Sequence, residues 1–399
     1  MFDQIISVCL NQWECLKINK QLPAAVFGFV FFVFFSSFFL PISSKAINNI
    51  FYVGLALPAF VLMLKNARDR IMVVRRYSML MGMLVGLFVL AVVADPPSMK
   101  KILYVFLYFM TCLLIAEKGK AARLVFSAYS VVACLVFLYS IASWLWQHQV
   151  TGVWGRQEFF GSATNPVYAS LMILSALIFV WLFYLEAFLL SRSKWQLFTG
   201  MFLMVCACLL CVLVFQARSA LVGASLFFVV YLIQRRFILV GGVVALVVGG
   251  LAYLLGVGRL LLERGASYRT GIWEDALHHL TNSCVVWLGC GADEYEFLGQ
   301  FMHPHSGYVS TLYRFGIVGA GLFTLFALVF FWRGWQSKSP WFLLALIGWG
   351  GLLTTGNGFF SSPQPLWVYF WFPTFMALFD AASSRTSDRA GLRWQAPSA

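Results

Sequence analysis

The sequence predicts an all-α integral membrane protein with about twelve transmembrane helices and a large folded loop between helices 9 and 10. Hydrophobic residues make up 61% of the 399 residues and charged residues only 11%, so a water-soluble fold would have too few polar side chains to cover its surface. The apolar runs are long and do not alternate with polar residues. Because a backbone in hydrocarbon must satisfy its own hydrogen bonds, such runs predict membrane-spanning helices.

The apolar runs define the individual spans, since each crossing needs roughly 20 residues at a rise of about 1.5 Å. Segments 219–233 and 341–355 are short, and we expect them to be tilted, re-entrant or buried by neighbouring helices. The twelve predicted spans are residues 24–43, 47–64, 78–95, 102–117, 122–146, 166–190, 196–215, 219–233, 237–255, 316–332, 341–355 and 366–380.

The distribution of charge predicts that both termini are cytoplasmic. Lys and Arg are retained in cytoplasmic loops, and with the N-terminus inside, most of the 28 basic residues fall on the inner side. The formal net charge of +13 is then explained by topology, without a nucleic-acid partner. The first apolar run follows Asp3, Glu14 and Lys17 and is long enough to span, which predicts a membrane anchor and not a cleavable signal peptide.

This topology predicts four regions: nine helices over 1–255, a loop subdomain over 256–315, three helices over 316–380 and an inner tail over 381–399. The loop is far longer than a connection between two helices needs to be. It is rich in Trp, Leu, Tyr and Gly, a composition that favours folding over disorder. We therefore expect a folded outer subdomain.

Two arginines on the outer side are candidate anion-binding groups. Arg218 lies at the outer junction of two spans with no acidic residue nearby in the sequence, and a charge at that depth is costly unless it is paired or functional. Arg269 precedes or opens a stretch with helical apolar spacing over 267–280, which predicts an amphipathic helix at the membrane surface. A helix N-terminus with an arginine suits a phosphate group. Arg156, in the other long outer loop, is a further candidate cation.

Histidine is confined to the outer side in this topology, which indicates proton chemistry or metal binding there. Pro304 separates two of the histidines, and such a pair is consistent with a metal site, a catalytic base with a helper, or packing. Carboxylates at 293, 294 and 296 would complete a metal site, while Cys284 and Cys290 are the outer-loop cysteines, whose pairing the sequence leaves open. The five histidines are His148, His278, His279, His303 and His305.

The segment that leaves the large loop carries a recognisable motif. His305 is followed by Ser306, nine further residues, Gly316 and, three positions later, Gly319. This pattern resembles that of the O-antigen ligase family, also called lipopolysaccharide ligases, and Arg218, Arg269 and the loop position match as well. Arg314 lies within the nine-residue spacer, and we expect it to anchor its helix at the interface.

The resemblance implies a GT-C-like glycosyltransferase in the inner membrane of a Gram-negative bacterium, with its active site on the periplasmic face. It implies an undecaprenyl-pyrophosphate-linked glycan as donor and a sugar hydroxyl of lipid A core as acceptor, with no ATP, metal or other cofactor. By this resemblance His305 is the general base, and Arg218 and Arg269 bind pyrophosphate. His303 has no counterpart in the motif and, like Arg156, is a secondary candidate.

Three other functions remain open from the sequence. O-antigen polymerases and protein O-oligosaccharyltransferases share the bundle and much of the loop, so the motif indicates the superfamily more securely than the member. A lipid or solute transporter would have repeated halves, interrupted helices and ionisable residues deep in its spans. The sequence has little internal similarity, and its largest loop follows the ninth span and not the middle of the chain.

Overall fold

A computed structural model describes residues 18–65, 75–117, 120–254, 268–293, 295–356 and 358–389, and this part of the chain is helical. Its residues form no regular strand and only two isolated β-bridges, both in the large loop. The helices are α1 (Ile18–Ser37), α2 (Ser44–Lys65), α3 (Ser78–Ala94), α4 (Pro96–Ala116), α5 (Ala121–Thr151), α6 (Pro166–Leu190), α7 (Lys194–Phe215), α8 (Arg218–Arg235), α9 (Ile238–Leu254), α10 (Arg269–Ser283), α11 (Gly307–Ser337), α12 (Pro340–Gly351) and α13 (Phe372–Arg389, preceded by a π-helical turn Trp367–Trp371).

Seven of the described helices are long and apolar enough to cross a membrane, by length and composition: α2, α4, α5, α6, α7, α8 and α11. Shorter apolar helices lie in α1, α3, α9 and α12. The chain is therefore a multi-pass membrane protein, as predicted. Each predicted span overlaps a helix, although 24–43 and 341–355 extend beyond the ends of α1 and α12. The number of twelve crossings and the division into four regions stay predictions.

Glycines bring α8 and α12 into backbone contact. A Cβ atom on Gly223 of α8 would lie 2.6 Å from the carbonyl oxygen of Ile347, and one on Gly350 would lie 2.9 Å from the Cα of Gly223. Small residues of this kind let transmembrane helices approach closely. The contact sets the beginning of α8, where Arg218 lies, beside the end of α12.

The connection between α5 and α6 packs back onto the bundle. The Gln157 amide donates to the carbonyl of Val214 over 3.0 Å, and the Ala163 amide donates to that of Phe38 over 3.2 Å. Gly161 has a positive φ of 59°, and any Cβ there would lie 2.0 Å from the carbonyl oxygen of Leu40. These bonds tie the connection to the ends of α7 and α1.

Helix α11 begins at Gly307, earlier than the predicted start at residue 316. Its first turns are amphipathic, so they do not belong to the apolar run from which the span was predicted. They pack on a small core of the large loop, formed by Ile272, Ala276, Leu280, Tyr295 and Tyr313. The described part of the loop is thus folded around its own buried residues.

The helix is kinked at Gly316, which has φ 60° and ψ −164°. A disulfide between Cys284 and Cys290 closes a short loop that docks on this kink. The Cys290 amide donates to the carbonyl of Tyr313 over 2.7 Å, and the Ile317 amide donates to that of Val286 over 3.0 Å. The loop therefore satisfies backbone groups that the kink removes from the helix.

Candidate functional site

Arg269 is the first residue of α10, where the helix presents unpaired backbone N–H groups. The predicted amphipathic face is confirmed for Ile272, Ala276 and Leu280, which are buried, while Leu277 is exposed. The Tyr295 hydroxyl donates to the carbonyl of Ile272 over 2.9 Å. The small loop core therefore fixes the helix, and the helix fixes Arg269.

Arg218 opens α8 after a tight reversal from α7, in which Gln216 adopts a left-handed φ of 45°. The Gln216 side chain donates to the carbonyl of Trp154 over 2.8 Å. Arg156 donates through Nε to the carbonyl of Phe215 over 3.0 Å. Arg156 thus binds the carbonyl end of α7, and the connection between α5 and α6 holds the turn that carries Arg218.

A short segment after α12 connects the arginine turn to the histidine turn. The Ser219 hydroxyl donates to the carbonyl of Thr354 over 3.3 Å and accepts from the Thr354 hydroxyl over 3.0 Å. On the other side, the Gly307 amide donates to the carbonyls of Leu352 and Thr355, over 2.8 and 3.1 Å. Residues far apart in the chain are thereby fixed at one end of the bundle.

His305 is held in an uncommon backbone conformation, with a φ of 52°. For a residue other than glycine this left-handed region costs about 1 to 3 kcal/mol, so the neighbouring contacts must impose it. The Trp273 indole donates to the carbonyl of Pro304 over 3.0 Å, and the Ser306 hydroxyl accepts from the Val309 amide at the start of α11. The half-buried imidazole of His305 is therefore fixed from both sides of its chain.

The rings of His303 and His305 lie close together, with centroids 4.0 Å apart and planes tilted by 47°. The His305 amide donates to Nδ1 of His303 over 3.2 Å, so this nitrogen carries no proton and the ring is the neutral Nε2–H tautomer. Burial, followed by the nearby His305 and Arg314, lowers the pKa of His303 to about 4. His303 is therefore uncharged at neutral pH.

Electrostatic coupling links His305 to Arg269, and Arg269 to Arg218. Burial and the positive charge of Arg269 lower the pKa of His305 below its ordinary value, so its imidazole is neutral and able to accept a proton at neutral pH. Burial and the charge of Arg218 lower the pKa of Arg269, although a guanidinium stays protonated. Arg218, Arg269 and His305 thus form a cluster, which we call the Arg–His cluster.

The motif residues around His305 have structural roles that the sequence did not reveal. Gly316 is the kink, and a Cβ there would lie 2.5 Å from the backbone of Gly289 and Trp287. Gly319 packs against α3, where a Cβ would lie 3.2 Å from a methyl carbon of Leu87. The motif therefore runs from His305, just before α11, to the two glycines at which α11 packs on the disulfide loop and on α3.

Arg314, expected to anchor its helix at the interface, also forms an ion pair. Its Nη1 lies 3.7 Å from Oδ2 of Asp95, a carboxylate whose side chain is 1% exposed. With His303 and Ser310, these residues line a cavity of about 370 Å³. Asp95 and Ser310 were not among the residues predicted from the sequence. A lone carboxylate between two apolar runs was the available signal for Asp95.

The other three histidines lie in separate contacts. His148 stacks on Trp154 with centroids 3.6 Å apart, and His278 bonds to Asn282 over 2.8 Å. His279 pairs with Asp293 over 3.0 Å. None of these contacts includes a residue of the Arg–His cluster.

The predicted metal alternative combined His303 and His305 with nearby carboxylates, of which Glu294 is outside the described residues. Asp293 bonds instead to His279 and, over 2.7 Å, to the hydroxyl of Tyr313. Among the described residues, the potential metal ligands that come together are His279, Asp293 and the two disulfide cysteines. Because those sulfurs are bonded to each other, the group does not offer a complete ligand set.

Comparison with known proteins supports the resemblance found in the sequence. No family model matches the chain. Over 169 residues it is 33% identical to an O-antigen ligase of Pseudomonas aeruginosa, a stretch that covers 39% of this chain and 41% of that protein. The chain thus aligns with about two fifths of the length of this curated relative. The resemblance to the O-antigen ligases is therefore confirmed as similarity to a curated O-antigen ligase over that stretch.

Proposed function

We propose that the chain is an inverting glycosyltransferase that moves O-antigen glycan from undecaprenyl pyrophosphate to a sugar hydroxyl of lipid A core. The observation that carries this proposal is the Arg–His cluster, in which the charge of Arg269 acts on a neutral histidine and the charge of Arg218 acts on Arg269. The similarity to an O-antigen ligase supports the choice of donor and acceptor. We further propose that the site faces the periplasm from the inner membrane, with both termini in the cytoplasm.

The cluster supplies the two functions that this transfer needs. The acceptor hydroxyl attacks the anomeric carbon while a ring nitrogen of His305 takes its proton, a general-base role worth roughly 10² to 10⁴ in rate. The bond from the anomeric carbon to the pyrophosphate oxygen breaks, and the electron pair leaves with the pyrophosphate. Arg218 and Arg269 stabilise this charge because a guanidinium binds phosphate oxygens in two places. Attack opposite the leaving group inverts the anomeric centre.

The donor already carries its leaving group, so the transfer needs no ATP. The proposed mechanism assigns no step to a metal, because the two arginines provide the fixed positive charge. In this scheme Arg156 helps to hold the turn that positions Arg218. His303 positions His305 by accepting a hydrogen bond from its backbone amide.

In vitro transfer with the purified protein tests the proposal. The donor is a glycan on undecaprenyl pyrophosphate, and the acceptor is either core lipid or a second lipid-linked glycan. We expect glycan to be attached to core lipid, in the presence of a chelator and without ATP. Extension of the second glycan alone would identify a polymerase, and absence of transfer to either acceptor would refute a glycosyltransferase of this kind.

A further inference from the structure

The cavity beside His303 is lined by two residues that each carry a buried polar atom without a partner among the described residues. Oδ1 of Asp95 and the hydroxyl of Ser310 have no hydrogen-bond partner among the described residues, and both residues line the cavity. Their side chains are 1% and 0% exposed. Buried polar groups without a partner are rare and costly, so a ligand that bonds to both of them would be favoured.

The chemistry of these two atoms defines the ligand. The other carboxylate oxygen of Asp95 accepts a hydrogen bond from the Ser98 hydroxyl and lies near Arg314, so the free oxygen is an acceptor that requires a donor. A serine hydroxyl both donates and accepts. A pair of hydroxyl groups on one small molecule meets both needs. The tyrosine rings at 295 and 313 supply the apolar part of the wall.

The position of the cavity relates it to the proposed reaction. His303 lines the cavity, and its ring centroid lies 4.0 Å from that of His305. The cavity therefore borders the histidine whose ring is next to the proposed base.

We propose that the cavity lined by Asp95, Ser310 and His303 binds the acceptor sugar, with one sugar hydroxyl donating to Oδ1 of Asp95 and another bonded to Ser310. This proposal rests on the proposed function and adds the location and chemistry of its acceptor site. The volume of about 370 Å³ falls within the range of about 300 to 1,000 Å³ that is common for small-molecule sites.

Three substitutions test the site without removing a residue of the Arg–His cluster. Ser310→Ala removes a hydroxyl that forms no hydrogen bond among the described residues, and we expect a rise of about 3- to 10-fold in the KM for acceptor. Asp95→Asn removes the negative charge of the carboxylate, and we expect a rise of about 10- to 100-fold in the KM for the acceptor sugar. Ala292→Trp adds bulk at an exposed wall residue, and we expect acceptor binding to be lost. The KM for donor should stay unchanged in all three.

Exposed residues of α10 provide matched controls. Glu274→Gln and Ser283→Ala make the same chemical changes away from the cavity and should leave both KM values as in the wild type. An unchanged acceptor KM in Ser310→Ala and Ala292→Trp would overturn the proposal, because the cavity would then hold only water. A change confined to the donor KM would also overturn it.

A binding measurement separates this inference from the proposed function. Saturation-transfer NMR on the purified protein would use delipidated core oligosaccharide and, separately, O-antigen glycan as probes. Binding to the wild type that is lost in Ala292→Trp supports the cavity, even if the wild type fails to transfer glycan. If neither saccharide binds the wild type, the cavity is not a sugar site.

Discussion

The backbone amide of His305 donates a hydrogen bond to Nδ1 of His303, 3.2 Å away. This bond makes the two histidines unequal, although they are only two residues apart. Nδ1 of His303 is occupied by the hydrogen bond from the His305 amide. The imidazole of His305, by contrast, is kept neutral by burial and by the charge of Arg269, which lower its pKa. The geometry therefore favours His305 as the base and His303 as the residue that positions it.

The first prediction separates these two roles by substitution. His305→Ala should lower kcat by roughly 10² to 10⁴ because no group remains to take the proton. His303→Ala should have a smaller effect, and His303→Asn should restore part of the activity because an amide oxygen can accept from the His305 amide. Initial rates of glycan transfer measure all three. Transfer at the wild-type rate by a folded His305→Ala protein would remove His305 as the base.

The second prediction concerns pH. The lowered pKa of His305 keeps its imidazole neutral to a lower pH than the ordinary value of about 6.5, so kcat/KM should fall only as the pH drops through that lowered pKa. Arg269→Gln removes a positive charge, which raises the pKa of His305 and should move the acid limb to higher pH. Arg269→Lys keeps the charge and is the control. An acid limb that stays fixed in Arg269→Gln would contradict this coupling.

The third prediction concerns the two cations. Arg218→Ala and Arg269→Ala should each lower kcat by about 10² to 10³ when the lipid-linked glycan is in excess. Each substitution removes a guanidinium that stabilises the negative charge developing on the pyrophosphate. Lysine at either position should restore the charge but not the bidentate geometry, and so recover only part of the rate. Full activity in both alanine variants would rule out the pyrophosphate clamp.

The fourth prediction concerns the kink in α11. Gly316→Ala places a methyl group 2.5 Å from the backbone of the disulfide loop at a φ of 60°, so it should destabilise the protein by about 1 to 3 kcal/mol and displace His305. Gly321→Ala is the matched control, because a Cβ there meets nothing within 4 Å. Thermal unfolding in detergent and transfer activity should distinguish the two variants. Equal melting temperatures would mean that the loop does not fix the kink.

Hydropathy predicted the helices well because a long apolar run is helical in a membrane whatever its tertiary neighbours are. It could not predict the start of α11, whose first turns are held by the loop core around Tyr313. Arg218 and Arg269 were identified by their unusual positions and by resemblance, whereas the contacts of Ser219 and Gly307 with the segment after α12, which join the Arg218 turn to the His305 turn, could not be predicted. Asp95 and Ser310 could not be predicted as a pair, because only the tertiary fold brings these distant residues to the same cavity.

The contact of Gly223 with Gly350 also bears on how a lipid reaches the site. The backbones of α8 and α12 touch at these glycines, so the seam between the two helices is too narrow for a hydrocarbon chain. Under the proposed function, the polyprenyl donor would therefore reach Arg218 along another face of α8. The two glycines that position the start of α8 thus also exclude lipid from the interface between α8 and α12.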